Sequence, residues 1–84
     1  MNDLDASNSK SLTIQNVDLS NIKTFAGGNT TILKNTIVND QTNFDFSKTA
    51  ILALNNCALP LKNESLPQKN YKLVIQKSKH QIIY

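Results

Sequence analysis

Four short segments of this chain share one pattern of apolar and polar positions. In residues 12–19, apolar side chains stand two apart at Leu12 and Ile14, and the alternation then skips one residue before Val17. Residues two apart lie on the same face of a strand, so this pattern predicts two short strands joined by a bend. The pattern recurs in three further segments, residues 31–38, 52–59 and 73–80.

An asparagine occupies the bend in three of the four segments. Asn16, Asn35, Asn56 and the fourth equivalent residue, Lys77, are 19, 21 and 21 residues apart. Asparagine tolerates the left-handed backbone region, so a bend at this residue keeps the apolar side chains of both strands pointing inward. Self-similarity at a period near 20 is typical of repeat architectures.

The repeat predicts an all-β fold, specifically a small parallel β-helix-like solenoid of about four coils. One coil alone cannot bury its apolar face, whereas a stack of coils can. A small antiparallel β-sandwich or barrel is the alternative, because the spacing varies and the fourth segment keeps only two apolar residues. Residues 49–54, rich in Ala and Leu, also suit a short helix. In the solenoid, one buried column contains Ile14, Leu33, Leu54 and Ile75.

Residues 12–19, 31–38 and 52–59 resemble coils of the right-handed parallel β-helix superfamily, which includes pectin-lyase-like proteins and phage tailspikes. This resemblance implies a parallel β-helix fold and a phage or cell-surface setting. Members usually have many more coils than this chain offers, and no catalytic residue is carried over from them.

The length of 84 residues predicts one small domain. Residues 1–10 are polar and lack periodicity, so we expect a flexible N-terminal arm, followed by a single small β domain over residues 11–84. No signal peptide and no apolar run of about 18 residues is visible. The single cysteine, Cys57, cannot form an internal disulfide and suits a reducing compartment. We therefore expect the host cytoplasm or a virion.

The net charge of +3 is unevenly distributed. Residues 1–60 sum to −1 and residues 61–84 to +4, and every basic residue is lysine. Arginine supplies the planar fork used to read bases and phosphates, so its absence makes nucleic acid a less favoured partner than protein, although loose electrostatic attachment remains compatible with the lysines. The candidate interaction residues are Lys69, Lys72, Lys77 and Lys79.

Three groups have residue types suited to chemistry but lack supporting motifs. Residues 26–29 contain both glycines and suit an anion nest, but no P-loop is present and a turn is preferred. Asp40 and Asp45 are more typical of solvated turns than of a carboxylate pair. Cys57 and His80 lack an orienting group. We therefore predict no enzyme activity, no cofactor and no metal site.

These observations favour a non-enzymatic structural or assembly protein that packs in a larger particle, most specifically a phage or viral virion component. Small size, the lack of a catalytic constellation and open strand edges support this hypothesis. The expected partners are other proteins or further copies of the chain, with no membrane. One alternative is a small phage-type inhibitor or regulator of a single host protein, and another is a nucleic-acid-binding module that uses the lysine-rich segment.

Overall fold

The computed structural model describes residues 2–39, 41–62, 71–76 and 80–83, with residues 60–62 and 80–83 described by their backbone alone. These residues form eleven strands and no helix, which confirms the all-β prediction. The strands are β1 (Asp3–Asp5), β2 (Ser11–Gln15), β3 (Asp18–Leu19), β4 (Thr24–Ala26), β5 (Thr30–Lys34), β6 (Ile37–Val38), β7 (Asn43–Asp45), β8 (Ile51–Asn55), β9 (Leu59–Lys62), β10 (Lys72–Gln76) and β11 (His80–Ile83).

Every strand pairing in the described part of the chain is parallel. The sheets have the orders β1-β4-β7, β10-β8-β5-β2, β3-β6 and β11-β9. We call β1–β3, β4–β6 and β7–β9 the first, second and third strand triplets, because β1, β2 and β3 pair with β4, β5 and β6, and β4 and β5 pair in turn with β7 and β8. The antiparallel sandwich or barrel offered as the alternative fold is therefore wrong.

The predicted bends lie where β2, β5 and β8 end. Asn16, Asn35 and Asn56 have φ angles of 57°, 49° and 53°, which places all three in the left-handed region. Few residues other than glycine adopt this region, and asparagine is among those that do. The bend redirects the chain from each five-residue strand, such as Thr30–Lys34, into the short strand that follows it.

The four residues of the expected column are in register across the four-stranded sheet. Ile14 pairs with Leu33, Leu33 with Leu54, and Leu54 with Ile75. Leu33 and Leu54 are 0% and 1% exposed, whereas Ile14 and Ile75, on the two outer strands, are only half-buried. The column is thus confirmed in register, and its burial is complete only in the middle.

The Ala- and Leu-rich segment 49–54 is not a helix. Ile51–Asn55 forms strand β8, which has a parallel neighbour on each side. Both backbone edges of β8 are thereby hydrogen-bonded, and its Leu52 and Leu54 side chains enter the core. Tertiary pairing of this kind overrides the modest helix preference of Ala and Leu.

The core is one apolar cluster to which the inner faces of the sheets all contribute. Three phenylalanines fill one side of it: the ring centroids of Phe25 and Phe44 are 5.7 Å apart, and Phe44 stacks on Phe46 at 5.9 Å. Offset and tilted aromatic contacts of this length are favourable. The buried members of the cluster are Leu19, Ile22, Phe25, Leu33, Phe44, Phe46, Leu52, Leu54, Cys57 and Leu59.

Residues 2–10, expected to belong to a flexible arm, contribute a strand to the three-stranded sheet. Asp3–Asp5 pairs with β4, and Ala6 is buried while its N–H donates to the carbonyl oxygen of Ala26 at 2.8 Å. The polar composition of this segment concealed a strand of only three residues, whose outward positions are both Asp. Mobility of this segment in solution stays a prediction, for which amide exchange is the measurement.

The irregular spacing of the repeat arises at one corner. Five residues join β1 to β2 and five join β7 to β8, but only residues 27–29 join β4 to β5. A Cβ atom on Gly27 would lie 2.7 Å from Thr31 Oγ1 and 2.8 Å from Phe46 Cδ1, so this short corner has no room for a side chain. The shortened connection explains why pairings are offset by 19 residues in some places and by 21 in others.

Candidate functional site

The glycine-containing corner is occupied by the hydrogen bonds of the fold itself. Gly27 N–H donates to Asp45 O, and Asn29 N–H donates to Ser9 O, both at 3.0 Å. The carbonyl oxygen of Gly28 accepts from the buried hydroxyls of Thr31 and Thr49 at 3.1 and 2.7 Å. Two of the amides that an anion nest would use are therefore already engaged, and the turn interpretation is the one that this geometry supports.

Asp45 closes a turn in which its carboxylate is held ionised. Its Oδ1 accepts from the Ser47 backbone N–H at 2.9 Å, and hydrogen bonding to Ser47 lowers the pKa of Asp45. A general acid needs the opposite shift. The same Asp-x-Ser arrangement occurs at Asp5 and Asp18, where hydrogen bonds from the serine two residues later also lower the pKa of each carboxyl. Asp40, the other half of the expected pair, lies outside the described residues.

Cys57 is packed in the interior, with 3% of its surface exposed. Its Sγ lies 2.8 Å from Thr36 Oγ1, and burial raises the pKa of the thiol above its ordinary value of 9.0. A nucleophilic cysteine needs a lowered pKa and access to substrate. The backbone of His80 begins β11 and pairs with Leu59, but the histidine side chain lies outside the description, so the expected Cys–His pair has only its cysteine placed.

The side chains that the structure describes contain no group of three or more His, Cys, Asp or Glu residues able to hold a metal ion. In the same part of the chain, every buried side-chain nitrogen or oxygen has a hydrogen-bond partner. Buried polar groups of a folded protein are normally satisfied in this way. No helix long and apolar enough to cross a membrane occurs in the described segments.

The three bend asparagines hydrogen-bond to one another along the sheet. Asn35 Nδ2 donates to Asn16 Oδ1 at 3.1 Å, and Asn56 Nδ2 donates to Asn35 Oδ1 at 2.8 Å. Identical amides at one strand spacing form such a ladder because each can donate to one neighbour and accept from the other. The sequence predicted the bends but not the ladder, although three asparagines at equivalent positions were its signal. Lys77 lies outside the described residues.

The outer faces of the two larger sheets carry opposite charge. Asp3, Asp5 and Asp45 point outward from the three-stranded sheet. Lys34 and Lys72 are exposed on the outer face of the four-stranded sheet, which carries no acidic residue at its twelve outward positions. Of the four predicted interaction lysines, Lys72 alone is described, and it stands on the outer strand β10. Lys69, Lys77 and Lys79 lie outside the description.

The most distinctive surface is formed by the first triplet. Among the residues that the structure describes, each of β1, β2 and β3 has one strand partner, and all three partners belong to the second triplet, so three strands are open on the same side. We call this surface the first-triplet edge. Its apolar residues are incompletely covered: Leu4, Leu12 and Ile14 are half-buried, and Val17 is 44% exposed. Open edges of this kind attract further strands.

The unpaired backbone groups of β2 can be assigned to particular residues. Lys10 O accepts from Thr30 N–H at 3.1 Å, and Asn16 N–H donates to Lys34 O at 2.9 Å, so even-numbered residues face β5. In a parallel ladder, alternate residues direct their N–H and C=O groups to opposite sides. The backbone groups of Ser11, Thr13 and Gln15 therefore face the open side.

Comparison with known proteins adds no relative to this description. A scan against protein-family models, a search of curated proteins and a search of solved structures each find no match. A functional assignment for this chain therefore depends on the geometry of its own residues.

Proposed function

We propose that this chain is a non-enzymatic structural or assembly protein that packs against other chains in a larger particle, and that its strand triplets are successive coils of a small β-solenoid. The observation that carries the function is the first-triplet edge. Three open strands with half-covered apolar side chains form a surface whose backbone and apolar groups both gain from a neighbour.

Three features support the solenoid. The strands that pair between successive triplets do so at offsets of 19 or 21 residues. The left-handed bends recur at equivalent positions, and the asparagine ladder joins three of them. In a solenoid, each coil contacts only its neighbours, so a terminal coil without a cap leaves apolar surface exposed. The half-burial of Leu12 and Ile14 fits that description.

The particle that we propose is a phage or viral virion, assembled in the host cytoplasm. Segments 12–19, 31–38 and 52–59 resemble coils of a superfamily that includes phage tailspikes. The single cysteine fits assembly in a reducing compartment. A structural role also fits the candidate catalytic residues, since Asp45 closes a turn and Cys57 packs against Thr36.

Fractionation of the cells or particles that contain this protein tests the proposal. Rate-zonal sedimentation followed by quantitative mass spectrometry should find the chain in a large particle, at a fixed ratio to the other components. Recovery only as a free chain, or in a complex with a single host protein, would contradict the structural role and favour a regulator. Salt-sensitive retention on RNA or DNA, with no particle association, would favour the nucleic-acid module.

A matched pair of variants connects that test to the surface. Thr13→Pro removes an N–H that faces the open side of β2, and Thr13→Val keeps it, while both change the same exposed side chain. Proline is tolerated on an edge strand where its missing N–H faces away from the sheet. We expect Thr13→Pro to lose its place in the particle and Thr13→Val to keep it. Equal incorporation of both would show that the first-triplet edge is not used.

A further inference from the structure

We propose that the partner at the first-triplet edge is a second copy of this chain, stacked head to tail so that β10 of one copy pairs in parallel with β2 of the next. This inference rests on the proposed assembly function and names the partner that would cover the surface. It requires that the two outer strands of the four-stranded sheet match in apolar pattern, in backbone hydrogen bonding and in charge.

The apolar patterns of β2 and β10 match, because the inward side chains of both outer strands have a neighbouring strand on one side only within the described sheet. Leu12 and Ile14 on β2, and Leu73 and Ile75 on β10, are all half-buried, whereas Leu52 on the intervening β8 is 0% exposed. With Lys72 placed opposite Ser11 of the next copy, Leu73 lies opposite Leu12, and Ile75 opposite Ile14. The two inward-facing columns of the sheet would continue across the junction without a change of face.

The backbone hydrogen bonds match in the same register. Lys72 N–H donates to Ala50 O at 2.8 Å, and Gln76 O accepts from Asn56 N–H at 2.9 Å, so these two residues face β8. Leu73 and Ile75 then direct their backbone groups to the outer side, by the alternation of a parallel ladder. On β2 the outward groups belong to Ser11, Thr13 and Gln15. Placing Val74 opposite Thr13 brings the two sets into the spacing of a parallel pair.

Charge favours head-to-tail stacking over a symmetric dimer in which two first-triplet edges meet. The first-triplet strands carry exposed Asp3, Asp5 and Asp18, and Lys10 lies beside them, so this end is net negative. The opposite outer strand, β10, carries exposed Lys72 and no acidic residue. Opposite charges across a contact attract and like charges oppose it. Two first-triplet edges meeting each other would bring six aspartates together, which disfavours a two-fold dimer.

A head-to-tail contact of this kind does not close on itself. The surface used on one copy differs from the surface used on the next, so each added copy presents a new open edge. The expected product is therefore a series of stacked species that lengthens with protein concentration, rather than a dimer of fixed size.

Disulfide trapping with single-cysteine additions tests the register directly. Thr13→Cys and Val74→Cys place thiols on neighbouring strands of the proposed junction, where paired residues lie ~4.8 Å apart, within the Cα separation that a disulfide spans. Under mild oxidation we expect a cross-linked species of twice the chain mass when the two variants are mixed. Neither variant alone should give it, and the unaltered protein, whose Cys57 is buried, is the background control.

The other trapping results would overturn the proposal. Cross-linking of Thr13→Cys with itself would mean that two first-triplet edges meet. Equal cross-linking in all three samples would mean random encounter. Absence of cross-linking in the mixture would mean that the copies do not stack, and if the chain still sediments with a larger particle, the assembly function stands with a different partner.

Sedimentation velocity gives a second test that does not depend on disulfide geometry. We expect the unaltered protein and Thr13→Val to form larger species as concentration rises, and Thr13→Pro to lose them while keeping its far-ultraviolet circular dichroism spectrum. Added salt should reduce the association, because the opposite charges at the two ends of the chain's stack are exposed to solvent. A single monomeric species for the unaltered protein at all concentrations would overturn the proposal, as would undiminished association of a folded Thr13→Pro.

Discussion

The middle of the four-stranded sheet and the first-triplet edge contain similar residues in very different surroundings. Leu33 and Leu54 are fully buried, whereas Ile14, in the same column, is only half-buried. Thr36 and Cys57 are buried at the position after the bend, whereas Val17 at that position is 44% exposed. The comparison shows that a strand in this fold is covered by the triplets on its two sides, so the outer strands lack half of their cover.

The largest effect should come from truncating the middle of the column. Leu54→Ala should lower the free energy of unfolding by ~2–5 kcal/mol, because it removes buried methyl groups and leaves a cavity between close-packed neighbours. Ile14→Ala should cost on the order of 1 kcal/mol, since part of that side chain is already in water. Urea unfolding followed by circular dichroism measures both. Equal losses for the two variants would contradict the difference between middle and edge.

The short corner between β4 and β5, residues 27–29, gives the next largest effect. Gly27→Ala would place a Cβ 2.7 Å from Thr31 Oγ1, 2.8 Å from Phe46 Cδ1 and 2.9 Å from Thr49 Oγ1. Overpacking at a close contact costs ~1–3 kcal/mol, and Thr31 and Thr49 would also have to shift from the Gly28 carbonyl that they share. Urea unfolding of the variant checks this, and a change within about 0.5 kcal/mol would mean that the corner relaxes freely.

The asparagine ladder extends the comparison of middle and edge from packing to hydrogen bonds, because Asn35 makes two ladder bonds and Asn16 makes one. Asn35→Ala should lower the free energy of unfolding by ~1–2 kcal/mol, because the left-handed conformation is unfavourable for alanine and the ladder is broken on both sides. Asn35→Gly keeps the backbone freedom and loses only the exposed amide bonds, so it should cost less than about 1 kcal/mol. Asn16→Gly, which loses one ladder bond, should cost less again. Thermal unfolding of the three variants gives the ranking, and an Asn35→Gly as damaging as Asn35→Ala would assign the effect to the amide.

The sequence predicted those parts of the fold in which side-chain parity and the bend residue act together. Ile14, Leu33, Leu54 and Ile75 are in register because each lies two residues before a bend position, and Asn16, Asn35 and Asn56 adopt the left-handed region because few other residues tolerate it. Parity alone does not say whether neighbouring strands run parallel. The antiparallel alternative was excluded only by the strand pairings, which join residues far apart in the chain.

Other features depended on neighbours that no local pattern reveals. The segment Asp3–Asp5 has one apolar residue, Leu4, and its polar composition predicts an arm, yet β4 provides a strand partner. The Ala–Leu preference for helix at Leu52 and Leu54 was outweighed by strands on both sides. Open edges were expected in general. That β1, β2 and β3 form one follows only from the three-dimensional arrangement, in which the first triplet has a neighbouring triplet on one side.

The smallest predicted effect concerns Cys57, which is buried at the position after the bend that exposed Val17 occupies in the first triplet. Burial raises the pKa of Cys57 from 9.0, with the Thr36 hydroxyl acting in the opposite direction, so the folded chain holds the thiol proton more tightly than the unfolded chain does. The contribution to stability is therefore complete below the unfolded pKa, and it is lost as the pH rises through the folded pKa, with a slope of at most ~1.4 kcal/mol per pH unit.

Cys57→Ser provides the matched control, because serine keeps a hydroxyl near Thr36 and does not ionise in this range. We expect the stability of the unaltered protein, measured by urea unfolding under reducing conditions, to fall relative to Cys57→Ser above about pH 9 and to run parallel below it. Contributions common to both chains cancel in the difference. Curves that stay parallel throughout would mean that the thiolate is solvated in the folded chain, and the middle of the sheet would then be more open to water at this position than its burial indicates.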